Sequence, residues 1–127
     1  MTDTPNWSEK TILVVEDEEI TRFFYKTALQ ITNANLLFAE NGKVGIEMAL
    51  NNLQIDCILM DIRLPLVDGY QATKYIKNER RDLPIIVQTA YALSNERLKA
   101  IQSGCDEFLP KPIKIETLYD VLKKYLD

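Results

Sequence analysis

The stretch Ile58-Leu59-Met60-Asp61 is an apolar run that ends abruptly in a carboxylate. Ile62-Arg63-Leu64-Pro65 and then Asp68-Gly69 follow it. An apolar run of this length reads as a buried strand, and Pro65 and Gly69 punctuate the loop after it. In an open α/β sheet, ligands bind just outside the carboxyl ends of the strands. An aspartate placed there is well sited for chemistry and poorly sited for packing.

The same strand-then-helix unit recurs along the chain. Residues 11–15 (Thr-Ile-Leu-Val-Val) form a first apolar strand, which ends in Glu16-Asp17-Glu18-Glu19. A helix over about residues 19–31 follows, with Ile20, Phe23, Phe24, Thr27 and Ile31 as its apolar side. Residues 36–39 read as a second strand and 43–51 as a helix. The third strand is 56–60, and Asp68-Gly69 opens a helix to about Glu79, with Tyr70, Ala72, Thr73 and Ile76 facing inward. The fourth strand is 83–88, with Pro84 at its start where a missing N–H is tolerated. Ser94 reads as the N-cap of a helix that stops at Gly104. Residues 107–109 form a short fifth strand, and a last helix over 114–126 carries Leu118, Val121, Leu122 and Tyr125 at helical spacing. Continuous apolar strands alternating with helices predict a parallel α/β sheet, covered on both faces and joined by right-handed crossovers. Residues 1–9 are polar and read as a short, loosely ordered lead-in to a domain over 10–127. Trp7 within the lead-in either covers an edge of the core or lies exposed.

The 127 residues fit one domain, and 46% hydrophobic with 27% charged residues is an ordinary soluble composition. Lys plus Arg is 15 and Asp plus Glu is 19, a net charge of −4 without a basic run, which argues against nucleic acid as the partner. No apolar run is long enough to span a bilayer, and the N-terminus lacks the pattern of a signal peptide. A membrane role is not expected, and the cytoplasm is the expected compartment. Cys57 and Cys105 have no CxxC spacing and read as small buried residues in a reducing environment. There is no histidine, which excludes Ser-His-Asp catalysis, His-ligated zinc and a phosphohistidine role.

The strand ends bring chemistry together. They contribute Glu16 and Asp17, then Asp61, then Thr89, and Lys111 just past the fifth strand. If the strands are parallel neighbours, these groups converge on one edge of the sheet. Taken singly each has an ordinary explanation: acids at a helix N-terminus, a strand-end hydroxyl, a surface lysine. Their joint placement is what those explanations do not predict. Three carboxylates in one cleft repel each other unless a cation lies among them. Oxygen ligands without imidazole or thiolate select a hard cation such as Mg²⁺, which leaves coordination positions for a phosphoryl group. Lys111 and Thr89 suit the other phosphoryl oxygens. The fitting chemistry is phosphoryl transfer onto Asp61. The chain has no Gly-rich phosphate loop, so the phosphoryl group comes from a partner rather than from bound ATP.

With these stretches in place, the sequence resembles the response-regulator receiver domains of two-component signalling, over about Lys10 to Leu126. The resemblance rests on Ile12 to Asp17, on Met60 to Pro65 with Asp68-Gly69, on Thr89-Ala90, and on Phe108 to Pro112, in order and at the right spacing. It implies a doubly wound, flavodoxin-like (βα)₅ fold with strand order 2-1-3-4-5. Asp61 resembles the phosphoacceptor, Asp17 a direct Mg²⁺ (or Mn²⁺) ligand and Glu16 the acid that holds the metal's waters. The resemblance also implies the main-chain carbonyl of Arg63 as a further metal ligand, and Lys111 as the contact to the phosphoryl group, with a cis Lys111–Pro112 bond. Thr89 and Phe108 match the switch pair, although Phe108 lacks the hydroxyl of the frequent tyrosine. The implied donor is a sensor histidine kinase or a histidine phosphotransfer protein. The implied output is an altered surface on the fourth helix, fifth strand and fifth helix, in a monomer or a weak phosphorylation-dependent dimer.

Two other readings compete. An aspartate-nucleophile phosphatase wants a second aspartate two residues after the first as general acid, and Arg63 stands there. A docking module that is never phosphorylated has no use for the complete acidic set. The chain ends just after the fifth helix, which suits a stand-alone receiver or one cut from a hybrid kinase. Arg63 and Tyr91 are expected to flank the path of attacking water and to tune the phosphoryl lifetime.

Overall fold

The computed structural model describes residues 4–90 and 94–127. Ten elements alternate: β1 (Thr11–Val15), α1 (Glu19–Gln30), β2 (Asn35–Ala39), α2 (Gly42–Asn51), β3 (Cys57–Asp61), α3 (Gly69–Glu79), β4 (Ile85–Thr89), α4 (Ser94–Ser103), β5 (Glu107–Pro110) and α5 (Ile115–Leu126). The sheet order is β2-β1-β3-β4-β5, and every pairing is parallel. This is the doubly wound order that the sequence predicts. The proposed cap at Ser94 and the role given to Tyr91 lie outside the described side chains.

The all-apolar strands are explained by two-sided burial. Every residue of β3 and β4 is buried. One face of the sheet carries Ile12, Val14, Cys57, Leu59 and Ile86, packed under α1 and α5. The other carries Leu13, Val15, Ile58, Met60, Ile85 and Val87, packed under α2 and α3. A fully buried Val, Leu or Ile contributes about 1.5–3 kcal/mol, so the central strands are the most costly place to disturb. No helix among the described residues is long and apolar enough to cross a membrane.

Two expectations change. The stripe Ile20, Phe23, Thr27 and Ile31 of α1 faces outward, with Ile20 83% and Phe23 68% exposed. Only Phe24 of the expected set is partly buried; Tyr25, Ala28 and Leu29 face the sheet instead. Both stripes have helical spacing, so periodicity alone does not say which one points inward. The second change concerns the lead-in. Trp7 is buried, stacks edge-on against Tyr119 at 6.1 Å, and donates from Nε1 to Asp127 Oδ1 at 2.8 Å. Its amide donates to the Thr32 carbonyl at 2.7 Å. The indole covers the end of the α1–α5 layer, and the chain around it is tied down rather than loose.

Candidate functional site

The carboxyl ends of the strands assemble the site through register. Val15 lies opposite Met60 and Asp61 opposite Gln88, so Glu16, just past β1, stands beside Asp61. Thr89 pairs with Pro110, which places Lys111 at the same edge. The Lys111 amide donates to the Thr89 carbonyl at 2.6 Å, and the Lys111–Pro112 bond is cis. Asp61 ends β3 itself rather than following it.

The helix after Asp61 begins very close to it. A Cβ on Gly69 would come within 2.1 Å of the Asp61 carbonyl oxygen, so only glycine admits this approach. The Gly69 amide donates to the Ile62 carbonyl at 2.8 Å. Asp68 caps α3 by accepting from the Gln71 amide at 2.9 Å, and the Gln71 side chain accepts from the Asp68 amide at 3.3 Å, a reciprocal capping box. Asp61 is thereby held between a buried strand and a fixed helix start.

The Lys111 ammonium joins the carboxylates. It donates to Asp61 Oδ1 at 2.9 Å and to Glu16 Oε1 at 3.0 Å. Glu16 is 1% exposed and Asp61 6%. Burial, reinforced by the Asp61 charge, lifts the Glu16 carboxyl from 4.5 to about 7 against the pull of Lys111. Burial also raises Asp61, against the hydrogen bond and charge of Lys111, with the Asp17 charge adding to the rise. For Lys111, burial acts downward, but the hydrogen bonds and charges of Asp61 and Glu16 together outweigh it and hold the ammonium above its ordinary value. One cation therefore serves two buried carboxylates, and the site retains an excess of negative charge.

That excess suits a hard cation. Carboxylate oxygens of Glu16, Asp17 and Glu18 lie within 4.8 Å of one another, with Asp17 and Glu18 exposed. An all-oxygen donor set half open to solvent fits Mg²⁺, which keeps several waters. Arg22 fixes the backbone here, donating from Nη1 to the Glu16 carbonyl at 2.9 Å. Beside the carboxylates runs a groove of about 360 Å³ between α1 and the segment after β5, lined by Ile20, Phe24, Tyr25, Lys111 and Ile113.

A family model, the response regulator receiver domain, matches residues 12–123. The chain belongs to that family. The Brucella anthropi polar-differentiation response regulator DivK is 31% identical over 119 residues, covering 92% of this chain and 96% of its own. The receiver domain of a Pseudomonas aeruginosa sensor histidine kinase, solved with a magnesium ion coordinated in its active-site cleft, is 33% identical with a TM-score of 0.86. The match covers 92% of this chain and 97% of that one. A yeast receiver domain, that of the Saccharomyces cerevisiae response regulator Ssk1 solved with the histidine phosphotransfer protein Ypd1, shares the fold at a TM-score of 0.87 and 23% identity, over 98% of this chain and 92% of that one.

In this receiver domain, Glu16, Asp61 and Lys111 meet directly, Asp17 lies beside Glu16, and Thr89 is buried at the end of β4. Arg63 is exposed just past Asp61. Phe108 lies on the other face of the sheet, partly buried, with the Arg97 guanidinium 5.7 Å from its ring centre. Sequence reading overlooked three contributors. Glu18, assigned to a helix N-terminus, joins the carboxylate cluster. Arg22 carries no signal beyond its place on α1. Tyr25 was passed over in favour of the outward stripe, yet it is buried and close enough for Glu16 and Asp61 to raise its phenol beyond what burial does.

Proposed function

We propose that Asp61 is the phosphoacceptor of a Mg²⁺-dependent receiver that switches its partner-binding surface. The observation that carries this reading is the Lys111 ammonium bridging Asp61 and Glu16, two buried carboxylates at one strand edge. An Asp61 carboxylate oxygen forms a bond to phosphorus as the donor's N–P bond breaks, and the donor ring, protonated on its other nitrogen, takes the bonding pair and leaves as neutral imidazole. Asp17, Asp61 and the Arg63 carbonyl would hold the metal, with Glu16 beside them to accept from its waters. Bound Mg²⁺ (or Mn²⁺) supplies positive charge to the phosphoryl oxygens. Lys111 pairs with another of those oxygens, so charge is balanced without a general acid. Water then attacks the same phosphorus, returning the free carboxylate; this self-dephosphorylation is the only further catalysis assigned.

Thr89 moves toward the phosphoryl oxygens, and Phe108 follows inward, loosening its contact with Arg97. The surface of α4, β5 and α5 changes its affinity for a downstream protein; Leu98, Ile101 and Ile115 are exposed there. The protein is a monomer or a weak dimer that phosphorylation favours. A population shift of this sort needs only a few kcal/mol. The donor is a sensor histidine kinase or a histidine phosphotransfer protein in the cytoplasm. The outward Ile20, which lines the groove at Lys111, and the exposed Phe23 one turn on support docking of such a donor on α1. Incubation with acetyl phosphate and Mg²⁺ tests the chemistry: intact-mass analysis should show one added phosphoryl group in wild type and none in Asp61→Asn. No gain in wild type, or a gain that survives Asp61→Asn, overturns the reading.

A further inference from the structure

Two buried side-chain oxygens among the described residues lack a hydrogen-bond partner, Thr73 Oγ1 and Gln88 Oε1. Thr73 lies in α3, away from the strand-end carboxylates. Gln88 stands among them. It is 1% exposed and lies in register with Asp61 on one side and with Leu109 on the other. In-register neighbours of a parallel sheet present their side chains on the same face. Leu59 and Ile86, two residues before Asp61 and Gln88, both pack under α1 and α5. Gln88 therefore projects to the same side as Asp61.

Lys111 follows β5, and its ammonium reaches Asp61 on β3 and Glu16 past β1. Since β4 lies between β5 and β3, the lysine side chain has to cross β4 near the level of Gln88. Register thus places Gln88, with its unpaired carboxamide oxygen, beside the route of the Lys111 side chain. A buried acceptor without a partner is destabilising, and an apolar residue after Ile85-Ile86-Val87 would remove the cost. An ammonium has three N–H groups to place. Two of them go to Glu16 and Asp61. When Asp61 carries a phosphoryl group and cationic charge compensates Glu16, those donors have to be redirected.

We propose that Gln88 is a positioning residue, whose side-chain carbonyl accepts a hydrogen bond from the Lys111 ammonium when Asp61 is engaged and so holds the ammonium toward the phosphoryl oxygens. This rests on Asp61 being the phosphoacceptor. The test uses the full chain as wild type, Gln88→Met and Gln88→Leu, with acetyl phosphate and Mg²⁺. Both variants are expected to melt in EDTA at or above the wild-type midpoint and to keep the wild-type Mg²⁺ affinity. They are expected to phosphorylate about tenfold more slowly, the effect of one lost hydrogen bond to a charged group. In wild type, the ¹³C resonance of the Gln88 side-chain carbonyl should move downfield on forming the beryllofluoride–Mg²⁺ complex, because it gains a donor. Wild-type rates in both variants, or an unmoved carbonyl resonance, overturn the proposal. Wild type that takes up no phosphoryl group at all refutes the phosphoacceptor reading instead.

Discussion

Glu16→Gln keeps the size of the side chain and removes its charge, which isolates the cost of a second carboxylate beside Asp61. Glu16 is 1% exposed, and burial, then the Asp61 charge, raise its carboxyl from 4.5 to about 7. A carboxyl raised on folding binds its proton more tightly in the folded than in the unfolded chain. Its contribution to stability is therefore complete below the unfolded value of 4.5, falls as pH rises, and is lost above about 7. At about 1.4 kcal/mol per pH unit, a rise of about 2.5 units corresponds to roughly 3 kcal/mol. Glutamine imitates the protonated form, so in EDTA the variant should be more stable than wild type at pH 8 by up to that amount. At pH 5 the difference should shrink to about 1 kcal/mol or less. For a chain of this size the full pH 8 difference corresponds to a rise in melting temperature of roughly 10 °C. Thermal melts of both proteins in EDTA at the two pH values measure it. Saturating Mg²⁺ should close the gap at pH 8, because the cation offsets the wild-type charge and binds the variant less tightly. A variant that melts below wild type at pH 8, or a shift of the same size at both pH values, would show that Glu16 is not a strained carboxylate.

Lys111→Met leaves Asp61 and Glu16 buried without their cation and should cost about 3–5 kcal/mol in urea unfolding at pH 8 in EDTA; the loss should shrink at pH 5, where the carboxyls take up protons. Gly69→Ala drives a methyl into the Asp61 carbonyl and should cost at least about 1–3 kcal/mol by the same assay. Trp7→Ala opens the end of the α1–α5 layer and should cost about 3–5 kcal/mol, whereas a freely exposed lead-in would show almost none. Phe23→Ser should leave the melting temperature and the acetyl phosphate rate unchanged while slowing transfer from a histidine kinase or phosphotransfer protein by about tenfold or more, as loss of a docking anchor does.

The fold was legible because its signals are local. Each strand is a continuous apolar run, which a two-sided parallel sheet requires; Pro65 falls in the loop after β3, and Gly69 and Gly104 fall where helices start or stop. Asp68 three residues before Gln71 announces its own capping box. The convergence of the candidate residues was legible for a related reason: in this topology every strand end points to one edge, so the last residues of four strands can be gathered without coordinates. That argument names Glu16, Asp17, Asp61, Thr89 and Lys111.

Where two patterns compete, or where partners are remote, only the folded chain decides. α1 carries two apolar stripes of the same period, and the choice of Tyr25, Ala28 and Leu29 as the inner one depends on the sheet beneath. Trp7 is buried because Tyr119 and Asp127 come to meet it, the latter 120 positions away. Lys111 reaches across 50 positions to Asp61 and 95 to Glu16, and the raised carboxyls are a product of that shared burial. Gln88 is one polar letter at the end of an apolar strand until register sets it beside Asp61. Local sequence determines which segments are strands, which are helices and which residues end them. Tertiary packing decides which faces are buried, and burial in turn sets the charge balance of the site.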